Sequence, residues 1–64
     1  MKTNDKFGQS LETGELVWAF GELFRIESIK LHQDEAYLHL SKVGLFNPYK
    51  TVLLASTVKK QEIR

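Results

Sequence analysis

The sequence predicts a small all-β protein: a five-stranded antiparallel open barrel with a flexible N-terminal arm and one short helical turn near the C-terminus. Three observations predict this class. From Leu16 onward, β-branched and aromatic residues alternate with polar ones at the two-residue period of half-buried strands. The apolar segments are short, and the residues between them favour turns. The length of 64 residues allows one thin core.

The N-terminal segment differs in composition from the rest of the chain. Residues 1–13 are polar apart from Phe7 and Leu11, and they include glycine, serine and threonine. We therefore predict an arm over residues 1–13 and a single barrel domain over residues 14–64. Either Phe7 or Leu11 is suited to cap one end of the barrel.

The first two strands are predicted to form a hairpin. Strand one covers residues 16–20 and strand two covers residues 23–31, and Gly21-Glu22 suits a tight turn with positive φ at the glycine. The alternation of strand two slips near Ser28, where a β-bulge would return the next apolar side chains to the core. A helix from Glu22 to His32 is the alternative, because part of this segment also shows helical spacing.

The remaining elements follow at similar intervals. Strand three is predicted over residues 36–43 after a polar loop, and strand four over residues 51–55 after a loop that contains Asn47-Pro48. Residues 56–58 fit a single helical turn. Residues 59–63 are then a fifth short strand or a tail.

The segment Gly14-Glu15-Leu16-Val17-Trp18-Ala19 resembles the opening strand of Tudor and PWWP domains and, more loosely, of KOW modules. These are Src-homology-three-like barrels, and the resemblance implies five short antiparallel strands with a single helical turn before the last. Residues 56–58 lie where that turn would fall. The chain has no Pro-Trp-Trp-Pro segment, and Asn47-Pro48-Tyr49 differs from the Asp-Tyr-Gly-Asn stretch of many Tudor domains, so methylated-ligand recognition is not carried over.

Composition argues against several classes of function. The chain contains no cysteine, which removes disulfides, thiolate chemistry and zinc fingers. No apolar run approaches the roughly 20 residues of a membrane span, and the N-terminus lacks a signal-peptide pattern. We therefore expect a cytoplasmic protein with no membrane partner.

Catalytic and metal-binding patterns are also lacking. The serines have no spacing typical of an activated nucleophile, and the glycines are isolated at turns rather than gathered in a phosphate-binding loop. The polar residues His32, Asp34, Glu35 and His39 have ligand chemistry, but loop residues of this kind are normally solvated. We expect no enzyme activity, no cofactor and no metal.

The candidate site is an outward aromatic patch. If Val17 and Ala19 face the core, Trp18 and Phe20 lie on the opposite face, where large apolar residues usually meet a partner. The opposite register, or cover from the arm, would bury Trp18 and Phe20 instead. The predicted partner-binding residues are Trp18, Phe20, Arg25, Tyr37, His39 and Lys42.

The charge pattern leaves two kinds of partner open. The net charge is +1, with −3 on residues 1–35 and +4 on residues 36–64, which argues against a DNA mimic. We predict a protein-interaction module, with homodimerisation as one form of that interaction. The alternative is a nucleic-acid-binding accessory protein, which Glu15, Glu22 and Glu27 on the same strands disfavour. In that alternative the phosphates would be met by Lys42, Lys50, Lys59 and Lys60.

Overall fold

A computed structural model describes residues 3–44 and 50–61 of the chain, and these residues are mostly β-strand. A single helical element, the 3₁₀ turn η1, occurs among them near the C-terminus, and it begins one residue earlier than predicted. The elements in chain order are β1 (Thr3–Asn4), β2 (Ser10–Leu11), β3 (Leu16–Ala19), β4 (Glu22–His32), β5 (Glu35–Lys42), β6 (Lys50–Leu54), η1 (Ala55–Thr57) and β7 (Lys59–Lys60).

The five strands β3 to β7 form one antiparallel sheet of order β6-β5-β4-β3-β7. The sheet is open, because β6 and β7 lie at opposite ends and are not paired with each other. β1 and β2 form a separate two-stranded sheet. This arrangement confirms the prediction of a small, open, five-stranded antiparallel structure.

A β-bulge interrupts the long strand β4. Its pairing with β5 shifts register between Ile26 and Ser28, which confirms the predicted bulge. Phe24 and Ile26 before the bulge and Ile29 after it are all buried. The extra residue keeps the apolar side chains on one face and increases the local twist that curls the sheet. The continuous strand also excludes the helical alternative.

Both tight hairpins have turns with two left-handed residues. Ala19 pairs with Glu22, so the first turn consists of Phe20 and Gly21, with φ of 54° and 72°. These angles are typical of a type I′ turn. The predicted turn at Gly21-Glu22 was therefore wrong by one residue. The second turn falls in the predicted polar loop, while the loop with Asn47-Pro48 lies outside the described residues.

The core lies on one face of the curled sheet. Val17 and Ala19 are buried and the intervening Trp18 is not, which confirms the predicted register of β3. Alternation in β5 likewise buries the predicted Leu38 and Leu40. The buried apolar residues are Leu11, Val17, Ala19, Phe24, Ile26, Ile29, Leu38, Leu40, Ala55 and Val58.

The N-terminal hairpin of β1 and β2 packs on this core. Leu11 is fully buried and supplies the predicted cap, whereas Phe7 is 64% exposed. The backbone N–H of Lys6 donates to the Val58 carbonyl at 3.0 Å, which joins the hairpin to the chain beside β7. In the described part of the arm, the residues after Asn4 are thus attached to the barrel domain, a contact that composition alone does not predict.

Candidate binding face

The face of the sheet opposite the core, called here the outer face, carries a row of exposed side chains. Residues directly opposite each other on neighbouring strands place their side chains on the same face. Trp18 lies opposite Leu23 on β4 and opposite Lys59 on β7. Val43 donates its backbone N–H to the Leu23 carbonyl at 3.2 Å and is 38% exposed. Trp18, Leu23, Val43 and Lys59 therefore form one row on the outer face. Trp18 in this row is 41% exposed.

Phe20 extends this row at the tip of the β3–β4 hairpin. Its side chain is 80% exposed, and its backbone is left-handed, with φ of 54°. That conformation is uncommon for a bulky residue, and asparagine or glycine is the usual occupant of such a turn position. Burial of the side chain therefore does not compensate for the backbone strain at Phe20. Strain of this kind concentrates at functional positions.

Two cations that form no ion pair with a described residue flank Trp18. Lys59 lies beside it in the row, and Arg25 lies in the next row, opposite Leu16 and Ser41. Both are exposed, and neither side chain makes a hydrogen bond or an ion pair with a described residue. The structure therefore places the predicted Arg25 next to Trp18 with its charge available to a partner.

Lys42 lies elsewhere than predicted. It is opposite the buried Phe24, so it shares the core side of the sheet and occupies the rim, not the outer face. Its ammonium group bonds the Glu22 carboxylate. The alternation that buries Leu38 and Leu40 leads to the same side for Lys42, so this signal was present in the sequence. Lys42 therefore lies on the core side of the sheet, and its part in partner binding stays a prediction.

The two acids that precede and follow β3 are neutralised by ion pairs. Glu22 pairs with Lys42, and Glu15 pairs with Lys60, whose Nζ lies 3.0 Å from Oε2. Two of the three acids expected to repel a negatively charged partner are thus paired with cations, whereas Glu27 Oε2 accepts a hydrogen bond from the Ser41 hydroxyl at 3.1 Å. Arg25 and Lys59 are the cations beside Trp18 that form no ion pair with a described residue.

Tyr37 and His39 lie on the outer face, as predicted, but two strands away from Trp18. They are opposite Lys30 and Ser28 on β4 and are partly exposed. The Tyr37 hydroxyl donates to Glu35 Oε2 at 3.2 Å. This hydrogen bond, followed by the negative charge of Glu35, raises the pKa of Tyr37. Tyr37 and His39 therefore belong to a more polar region than the row around Trp18.

Phe7 is an exposed aromatic residue that the sequence analysis did not assign to the site. The Nζ atoms of Lys6 and Lys59 lie 5.2 Å and 5.8 Å from its ring centroid, within the range of cation–π contacts. Lys59 thus connects Phe7 to Trp18. We call the apolar surface formed by these neighbouring side chains the aromatic patch. Its members are Phe7, Trp18, Phe20, Leu23 and Val43.

A buried carboxylate positions Phe7. Asp5 is 5% exposed, and its Oδ1 accepts the backbone N–H groups of Phe7 at 2.9 Å and Gln9 at 2.8 Å. Its Oδ2 accepts the N–H of Lys60 on β7 at 2.7 Å. Burial by itself raises the pKa of Asp5, but these three hydrogen bonds and the charge of Lys60 together lower it. One side chain therefore shapes the turn and joins it to the sheet.

The described residues include neither a metal-binding cluster nor a membrane-spanning helix. Residues 3–44 and 50–61 contain no group of three or more histidine, aspartate or glutamate side chains placed to hold a metal ion. Within the same ranges, no helix has the length and apolarity required to cross a membrane. The aromatic patch is therefore the surface from which we argue function.

Comparison with known proteins finds no relative. No protein-family model matches the chain, and neither the curated proteins nor the solved structures include a significant match. The resemblance of residues 14–19 to Tudor, PWWP and KOW modules therefore stays a prediction, and the function must be argued from the surface itself.

Proposed function

We propose that the protein is a non-enzymatic binding module. Its aromatic patch docks a segment of a partner protein that carries both acidic and apolar side chains. The observation that carries the proposal is the exposure of Trp18 and Phe20, two residues apart at the β3–β4 hairpin, with Phe20 held in a left-handed conformation. The Phe20 ring is solvated, and the partly exposed Trp18 ring lies outside the core. The contribution of such side chains to a protein interface is large.

The charges around the patch define the chemistry of the partner. Arg25 and Lys59 form no ion pair with a described residue, whereas Glu15 and Glu22 are engaged in ion pairs. A segment with aspartate or glutamate next to an aromatic or aliphatic residue would cover Trp18 and meet both cations. Such complementarity steers association and fixes the register of the complex. A cytoplasmic location stays part of this prediction.

Selection from a random peptide library displayed on phage tests the proposal. The immobilised wild-type protein should enrich peptides that combine acidic residues with aromatic or aliphatic ones. Trp18→Ala should weaken binding of an enriched peptide by about 30-fold, since loss of an interface hot spot costs about 2 kcal/mol. Isothermal titration calorimetry with the synthetic peptide provides the measurement.

The matched control is Leu31→Ala, because Leu31 is a 59% exposed apolar residue on β4 outside the aromatic patch. This variant should bind the peptide as the wild type does. Circular dichroism should show that both variants are folded. Peptides that bind Trp18→Ala and Phe20→Asn with unchanged affinity would overturn the assignment of the patch, as would a library that yields no enriched sequence.

Single-stranded nucleic acid is the second candidate partner, and Phe7 is the observation that favours it. An exposed ring flanked by two ammonium groups is suited to stack on a base while the lysines meet phosphates. Two of the four lysines predicted for this role, Lys42 and Lys60, are instead paired with glutamates. Because fewer lysines are available to meet phosphates, nucleic acid is a less favoured candidate than a protein partner.

Fluorescence anisotropy with labelled single-stranded DNA and RNA separates the two candidates. Nucleic-acid binding would produce an affinity that falls steeply with salt, because neutralised phosphates release counterions. It would also be lost in Phe7→Ala. We expect no saturable binding at low salt. A saturable, steeply salt-dependent signal that requires Phe7 would replace the protein partner as the proposed ligand.

A further inference from the structure

Among the described residues, one edge of the five-stranded sheet is covered by another part of the chain and the other edge is not. At one edge, β7 is short, and the N-terminal hairpin covers it: Asp5 accepts the N–H of Lys60, and Lys6 donates to the Val58 carbonyl just before the strand. At the other edge, β6 pairs only with β5 in the described part of the chain. With respect to residues 3–44 and 50–61, the outer side of β6 is therefore an open edge.

β6 has only one of the features that usually prevent an edge strand from pairing, the lysine at its first position. It is five residues long, contains no proline, and pairs with β5 without any shift of register. Its single charge, Lys50, lies at the first position. Val52 in the middle is 49% exposed and, being opposite His39, lies on the outer face. An edge of this kind presents unpaired N–H and C=O groups to another strand.

We infer that two copies of the protein pair through β6, antiparallel and centred on Val52, so that two five-stranded sheets become one continuous sheet. The occupant of the open edge is then a second copy of the chain. The interface is isologous, as in most symmetric dimers. Each Val52 side chain would cover its counterpart across the two-fold axis, which accounts for an exposed β-branched residue in the middle of the edge.

The charge of β6 selects the antiparallel arrangement. In a parallel pair, the two Lys50 side chains would lie on adjacent strands about 5 Å apart and repel each other. In the antiparallel pair centred on Val52, each Lys50 lies opposite Leu54 of the other copy. The two lysines are then four residues apart along the strands, about 14 Å, which exceeds the Debye length of about 8 Å at physiological ionic strength.

Sedimentation equilibrium of the wild-type protein and of two Val52 variants tests this pairing. The wild type should approach twice its monomer mass of 7.4 kDa as its concentration rises. Val52→Lys and Val52→Glu each place like charges on the two-fold axis, so each alone should sediment at the monomer mass. An equimolar mixture of the two variants should recover the dimer mass, because opposite charges then meet at the same point.

Leu31→Lys is the matched control, since it adds the same charge at an exposed apolar position away from β6, and it should dimerise as the wild type does. Trp18→Ala should also dimerise, so failure of the patch and failure of the pairing are distinguishable. A wild-type monomer at about 1 mM, where even an association worth about 4 kcal/mol is substantially formed, would overturn the inference. A dimer that persists in both Val52 variants would overturn it too.

Discussion

Phe20 combines two properties that would normally be removed by selection for stability. Its side chain is solvated, and its backbone occupies a left-handed region that asparagine and glycine adopt at lower cost. A residue that serves the turn alone would be asparagine, as in the common Asn-Gly type I′ turn. We therefore propose that the phenyl ring serves a contact outside the molecule, and this is the basis of the proposed binding function.

Phe20→Asn separates stability from binding. The substitution creates an Asn-Gly turn, and we expect the free energy of unfolding to rise by about 1 kcal/mol because left-handed strain is relieved. The same variant should bind the selected peptide more weakly, since the exposed ring is lost. Urea denaturation and calorimetry supply the two quantities. A variant that is less stable, or one that binds as well as the wild type, would contradict this interpretation of Phe20.

At the scale of the elements, the alternation of apolar and polar residues predicts the strands of the sheet well. It does not predict features that depend on contacts between residues far apart in the sequence. Alternation in β3 and β5 correctly places Val17 and Leu38 in the core, and the slip in β4 predicts the bulge before Ser28. The position of Phe7 depends on the bond between Asp5 and Lys60, which are 55 residues apart. No local pattern reports such a contact, so the aromatic patch was predicted without Phe7.

Asp5→Asn should loosen the N-terminal hairpin. An amide oxygen cannot accept the three N–H bonds of the carboxylate as well, so we expect a loss of about 2 kcal/mol in the free energy of unfolding at neutral pH. Urea denaturation supplies this value. In the same variant, the exposure of Phe7 and the distance from its ring to Lys59 Nζ should also change, because Asp5 accepts the backbone N–H of Phe7 and so fixes the turn.

The pH dependence of the same variant checks the mechanism. The pKa of Asp5 in the folded protein is lowered below its ordinary value of 3.8, so its stabilising effect is complete above that pH and is lost as the pH falls through the folded pKa. The stability difference between the wild type and Asp5→Asn should therefore narrow below about pH 4. A difference that stays constant in acid would show that the Asp5 charge does not hold the hairpin.

At the scale of the whole molecule, a thin core supports two surfaces to which we propose different tasks. The buried apolar residues lie on one side of the curled sheet, while the aromatic patch occupies the outer face near β3 and β7. The open edge lies at β6, at the other end of the sheet. Pairing through β6 would place two aromatic patches in one assembly, so a partner with two docking segments would gain avidity when its linker spans them.

Iodide quenching of tryptophan fluorescence, with and without the selected peptide, tests the central claim most directly, because Trp18 is the single tryptophan of the chain. We expect iodide to quench Trp18 fluorescence in the protein alone, and we expect saturating peptide to protect Trp18 from quenching. Quenching that is unchanged by bound peptide would place the binding surface elsewhere. A Trp18 already shielded in the protein alone, at concentrations where it is monomeric, would contradict the exposed aromatic patch itself.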